Sequence, residues 1–184
     1  MASRNLFFEE QDSQRCAIHA VNNLMQRQAY TKDDFDSISY SLTPFACFRV
    51  NPHKSCWGVG NYDANVLIRA IESLGFEVGW HDRRKAASLI DFHTVFGLII
   101  NSHERGFLSG PHWSAVRQIN GVWYDLDSKL RSPEPFGSRD ALCSYLQHKV
   151  DVEEGQILTV TKKSPLDDNR TDKDMNIVVG NGVS

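Results

Sequence analysis

The sequence predicts an α+β domain, with a helical N-terminal half packed on a mostly antiparallel sheet. Three observations carry this. Apolar residues recur at helical spacing in three segments before residue 76, the period then changes to alternation, and Asn120-Gly121 separates two strand-like runs. At 184 residues the chain suits one well-filled core and is short for two. The domain is expected to cover residues 5–163, leaving 164–184, polar and charge-dense, as a disordered tail.

In "QDSQRCAIHAVNNLMQ" (11–26), Ala17, Ala20, Val21, Leu24 and Met25 form one helical stripe, with Ser13 the expected N-cap. "TKDDFDSISYSL" (31–42) reads as a second helix, with Thr31 and Asp34 as a capping pair and Phe35, Ile38 and Leu42 on one side. Residues 43–63 are irregular. "ANVLIRAIESLG" (64–75) is helical through Leu67, Ala70, Ile71 and Leu74, and Gly75 is a natural stop. "FEVGWH" (76–81) alternates as a half-buried strand does, 84–92 is a short helix candidate, and "VFGLIINS" (95–102) reads as a buried strand. "HWSAVRQI" and "VWYDLDS" flank the Asn-Gly turn as a hairpin. A helix over 138–149, capped by Ser138, precedes a closing strand over 155–163.

Composition excludes several classes. Net charge is −3 and no basic stripe is interleaved with aromatics, so no nucleic-acid partner is expected. The apolar run at 95–100 is too short to span a bilayer, and no secretory signal, lipidation motif or encoded membrane anchor is expected. The four cysteines are therefore expected as reduced thiols in the cytoplasm, with the nucleus also open. Cys47, His53 and Cys56 cluster without paired zinc spacing, so neither metal nor cofactor is expected.

Cys16 stands ahead of its helical stripe, at the positive end of the helix dipole, where a thiolate is favoured. A buried apolar role is the plain alternative. The Asn-Gly turn supplies a candidate base by geometry. If those two residues are the loop, Ile119 faces Val122, Ser114 faces Asp127 and His112 faces Lys129. His112 and Asp127 then share a face as diagonal neighbours, with Cβ atoms roughly 7 Å apart. Asp125 is on that face too, but two steps farther from His112. A carboxylate there can orient the imidazole and stabilise its protonated form. Trp113 points the other way, toward the core. His19, three residues after Cys16, has no evident carboxylate partner and reads as a supporting residue. Gln11 is the candidate oxyanion donor beside the Cys16 backbone N–H, with Gln14 its rival. A thiol on a helix with a His–Asp pair on a hairpin is the arrangement of papain-like cysteine hydrolases.

With these residues in place, "QDSQRCAIHAVNNLMQ", "NPHKSCWGVGNYDANV" and "GPHWSAVRQINGVWYDLDS" resemble the Josephin domain of deubiquitinating cysteine proteases, most closely its short members that contain little else. The resemblance covers roughly residues 5–163. It implies a papain-like fold without metal or cofactor, with Cys16 as nucleophile, His112 as base, Asp127 as orienting residue and Gln11 as oxyanion glutamine. It implies hydrolysis of isopeptide or peptide bonds at the C-terminus of ubiquitin, and a mobile arm around residues 31–60 over the cleft. One branch of the family carries Asn where this chain has Asp127. The expected partners are ubiquitin and ubiquitinated proteins or polyubiquitin, engaged by a monomer. Glu9, Glu10 and Asp12 are expected either to attract the basic residues of ubiquitin's tail or to be a solvated acidic loop. Two other classes stay open: a nearly silent ubiquitin-binding module, and a papain-like hydrolase of another substrate. Cys16-dependent turnover would exclude the first, and a panel of ubiquitin-like reporters the second.

Overall fold

The computed structural model describes residues 6–11, 15–42, 62–103 and 111–164. Within them, four helices and a six-stranded antiparallel sheet make the expected α+β fold. The first helix, α1 (Cys16–Met25), buries Ala17, Ala20, Val21 and Leu24 completely. Its N-cap is Arg15, which makes no side-chain capping bond; the expected cap Ser13 is not the cap and lies outside the described residues. At the other end the Arg117 guanidinium donates to the Leu24 carbonyl at 2.6 Å, and Gln26 turns the chain at φ 56°.

The helix α2 (Lys32–Ser41) has the capping box expected of Thr31 and Asp34. Phe35 pins it to the core between Tyr30 and Tyr62, whose rings it meets edge-on. Of the segment cast as a mobile arm, α2 is thus docked, and 43–61 lie outside the described residues. The third helix, α3 (Ala64–Ser73), is capped by Asp63, whose carboxylate accepts from the Asn65 and Val66 N–H groups, and Gly75 follows it at φ 84°. The helix expected over 84–92 is only a 3-10 turn at Ala87–Leu89. Ala87 donates its N–H to the Gln147 side chain, and Ile90 and Phe92 both face the core, a spacing of two that helical backbone cannot supply. The fourth helix, α4 (Arg139–Asp151), is capped by Ser138 as expected.

The strands are β1 (Phe76–Trp80), β2 (Gly97–His103), β3 (Pro111–Ile119), β4 (Val122–Asp125), β5 (Glu134–Pro135) and β6 (Gln156–Lys162), in the order β1-β6-β2-β3-β4-β5. The expected closing strand therefore lies inside the sheet, and β1 is an edge. Trp80, last in that edge strand, is 52% exposed rather than half-buried with Phe76 and Val78. Each face of the sheet carries a core. The helices α1, α2 and α3 pack on Ile99, Trp113, Ala115, Leu126, Leu158 and Val160. On the opposite face α4 and the 3-10 turn cover Leu98, Ile100, Val116 and Ile157. Gly97 lets α1 approach closely, because a Cβ there would lie 2.5 Å from Leu24 Cδ1 and 2.9 Å from the Val116 carbonyl.

Candidate active site

The hairpin forms in the expected register from Ile119↔Val122 to Val116↔Asp125. The Leu126 N–H continues it to the Ala115 carbonyl at 2.9 Å, and there the ladder stops. Ser114–Asp127 and His112–Lys129 are therefore not cross-strand pairs, contrary to expectation. Two carboxylates curl the chain away. Asp125 Oδ1 accepts from the Asp127 N–H and Asp127 Oδ1 from the Lys129 N–H, both at 2.9 Å, giving two successive Asx turns. This curl still brings Asp127 to His112: Nε2 and Oδ1 are 2.7 Å apart. A carboxylate can only accept, so Nε2 carries the hydrogen and Nδ1 is left for the thiol.

That thiol is close. Cys16 is the first residue of α1 and only 4% exposed, and its side chain is near enough to the His112 ring to favour the ring's charged form. The pairing of β3 with β4 ends at Val116, and beyond it the Asp127 turn meets the first half of β3 at His112. Burial disfavours a charged His112, but hydrogen bonds with Asp127 and Cys16, and their charges, push it up to about 9. Burial likewise works against the Asp127 carboxylate, and the His112 hydrogen bond and charge hold it below the ordinary range.

Helix α1 also presents an N-terminus with no side-chain cap. The Arg15 carbonyl accepts from the Ile18 and His19 N–H groups, while the Cys16 and Ala17 N–H groups, at the start of the helix, have no intrahelical acceptor. Gln11 lies beside the Asp127 turn: its N–H donates to the Ser128 carbonyl at 2.6 Å, and its Oε1 accepts from Ser128 Oγ at 3.3 Å. Glu10, Gln11, Ser128 and Lys129 line a cavity of about 460 Å³. Gln14 lies outside the described residues, as do Asp12, Cys47, His53 and Cys56.

Two expectations change here. His19 does have a carboxylate partner, with Nδ1 2.7 Å from Glu9 Oε2. Asn22 Nδ2 donates to both oxygens of the same carboxylate at 3.1 Å, so Glu9 is engaged with α1 and is not part of a freely solvated loop. Residues 7–9 run against α1, which turns the Glu9 side chain onto it. Glu10 alone of the three acids is described as exposed. Trp113 is buried as expected, its indole N–H on the Tyr62 carbonyl at 3.1 Å. The sequence reading passed over Ser128, and Asn22 and Asn23. Two adjacent asparagines inside an apolar helix, both buried, were the available signal, since that residue type disfavours helix interiors.

Behind Asp127, burial raises Asp125 to about 6, against the Tyr145 hydroxyl, which falls short of full hydrogen-bond geometry, and the Asp127 N–H. Asp125 binds its proton more tightly folded than unfolded. The stability of the neutral form is complete below about pH 4 and lost as pH rises through about 6. Asp125→Asn, which keeps an acceptor for the Asp127 N–H, is expected to stabilise the fold by about 2 kcal/mol at pH 8. Denaturant titrations at pH 4 and pH 8 check this, and a variant less stable than wild type at pH 8 would contradict it.

Comparison with known proteins adds an independent line. A profile of the Josephin family matches residues 11–161. Josephin-2 of Homo sapiens is 42% identical over 148 residues, which cover 77% of this chain and 78% of that protein. A Josephin-like protein of Drosophila melanogaster is 31% identical over 177 residues, 91% of this chain and 79% of the relative. Ataxin-3 of Homo sapiens is 24% identical over 147 residues, 71% of this chain and 38% of that protein.

Proposed function

The chain belongs to the Josephin family, and from that premise we propose that it is a cysteine-type deubiquitinase. It hydrolyses isopeptide or peptide bonds at the C-terminal glycine of ubiquitin through Cys16, His112 and Asp127. The observation that supports this best is the convergence of Cys16, at the uncapped start of α1, on a His112 ring held 2.7 Å from Asp127.

His112 Nδ1 takes the thiol proton, and the thiolate attacks the carbonyl carbon of ubiquitin's terminal glycine. The carbonyl oxygen becomes an oxyanion beside the Cys16 N–H and the Gln11 amide, a contribution of a few kcal/mol where such donors have been removed. Collapse expels the amine, which leaves with the proton from His112 and deposits ubiquitin as a thioester on Cys16. Water, deprotonated by His112, then attacks the thioester; the carboxylate departs and the thiol is restored. Asp127 keeps the ring oriented and its charged form stable throughout. Ubiquitin's tail ends in glycines, which suits a cleft too narrow for larger side chains. Ubiquitinated proteins or polyubiquitin are the partners, and a monomer suffices because each assigned residue comes from one chain. Among the described residues, no helix is long and apolar enough to cross a membrane, which suits a protein of the cytoplasm or nucleus.

Ubiquitin and ubiquitin-like modifiers carrying the same C-terminal electrophile test the assignment. Covalent labelling by the ubiquitin probe alone, at Cys16, is the expected result. Fast alkylation of Cys16 by a small reagent with no ubiquitin adduct would keep the thiol chemistry and remove the substrate. Failure of both would leave Cys16 an ordinary helix cysteine.

A further inference from the structure

Asn23 is on α1, seven residues after Cys16, and is completely buried. Burying an amide is costly unless its polar atoms are paired. Those of Asn23 are paired with backbone from two other segments. Its Oδ1 accepts the Glu9 N–H at 2.7 Å, and its Nδ2 donates to the Glu9 carbonyl at 3.1 Å and to the Leu126 carbonyl at 3.2 Å. Two carbonyl neighbours at one end and an N–H at the other settle which amide atom is nitrogen.

The places these bonds fall are informative. Glu9 is two residues before Gln11, and Leu126 is one residue before Asp127. The segment at 6–11 belongs to no strand or helix, so its position depends on such contacts. Gln26 holds Phe7 at 3.2 and 3.1 Å, and the Gln11 N–H reaches Ser128. Asn23 alone among these holds both backbone groups of one residue while also bonding the chain that leads into Asp127. Cys16 and Asn23 ride on the same helix, about 10 Å apart along its axis, which fixes their separation.

We propose that Asn23 is the positioning residue that sets the Gln11 amide against the Asp127 turn, in register with Cys16. It touches neither substrate nor reacting atoms, and its effect rests on the proposed roles of Cys16 and Gln11. A misplacement of order 1 Å can cost on the order of 100-fold in rate. Removing the amide leaves the helix and its thiol in place but frees the segment that carries the oxyanion donor.

The test is a double-mutant cycle in the whole chain, read on a ubiquitin amide reporter and by iodoacetamide alkylation of Cys16, which forms no oxyanion. Gln11→Ala is expected to lower kcat by about 100-fold or more. Asn23→Ala is expected to lower kcat by about 10- to 100-fold with KM little changed. In the Gln11→Ala background the further loss should be under about 3-fold, because the two act as one unit. Alkylation should stay near the wild-type rate in both single variants. Asn23→Ser, whose hydroxyl can still meet one of the three backbone groups, reads the same cycle if alanine does not fold. Additive losses, or alkylation falling in step with turnover, would make Asn23 merely structural and overturn the proposal. If Gln11→Ala leaves kcat unchanged, the oxyanion role of Gln11 fails and this inference falls with it. If only Asn23→Ala leaves kcat unchanged, the catalytic reading stands and the inference alone is lost.

Discussion

Cys16→Ala removes turnover of ubiquitin amides by on the order of 10⁴-fold or more, and leaves the fold intact. The chemistry requires the loss: no other group of the site can form the thioester, so the double-displacement path closes. The fold tolerates the change because alanine is the better helix former and Cys16 is the first residue of α1. The truncation removes one sulfur atom from the edge of the core beneath the helix. Melting should therefore shift by only a few degrees, and ubiquitin should still bind. Progress curves with a fluorogenic ubiquitin amide, beside thermal melts and a binding titration, check all three. Residual turnover within about tenfold of wild type would show that the nucleophile is elsewhere.

Asp127 should show its role most clearly in the pH profile. His112 is held up at about 9, so the charged imidazolium persists through neutral pH and the alkaline limb of kcat/KM lies near that value. In Asp127→Ala both the hydrogen bond and the negative charge disappear. The limb should then move to lower pH, and kcat at neutral pH should fall by about 10²- to 10⁴-fold. Asp127→Asn keeps an acceptor for His112 Nε2 and for the Lys129 N–H but loses the charge. It should lose less activity and still shift the limb downward.

Stability should follow the same group. His112 binds its proton more tightly folded than unfolded, so the stabilisation is complete below about pH 6.5 and is lost as pH rises through about 9. The stability gap between wild type and Asp127→Ala should therefore narrow above pH 9. Rate profiles and melts between pH 5 and pH 10 measure both. An alkaline limb at the same pH in wild type and Asp127→Ala would mean that the carboxylate does not govern the imidazole.

Local rules decided most of the elements. Capping chemistry at Thr31, Ser138 and Gly75 and the Asn120-Gly121 turn act within a few residues, and the structure has each where its own neighbours place it. The short helix expected over 84–92 failed because the Gln147 side chain of α4 takes the Ala87 N–H, a competitor that local reading cannot see. Ser13 failed as a cap because α1 begins only at Cys16.

For the site, the Asn120-Gly121 turn sets the hairpin register as far as Val116 and Asp125, which is enough to bring the chain carrying Asp127 to the strand carrying His112. Their contact was legible although its geometry was not. The pairing expected of strands gives way after Asp125, where two side-chain carboxylates take backbone N–H groups that the ladder would have used. The remaining contacts of the site come from packing between elements distant in the chain. The approach of α1 to the sheet over Gly97, the engagement of Glu9 with His19, and the reach of Asn23 to Glu9 and Leu126 join residues 10 to 103 positions apart. Such contacts depend on how separately formed elements bury their apolar faces. A buried amide such as that of Asn23 finds its partners only once that packing is complete.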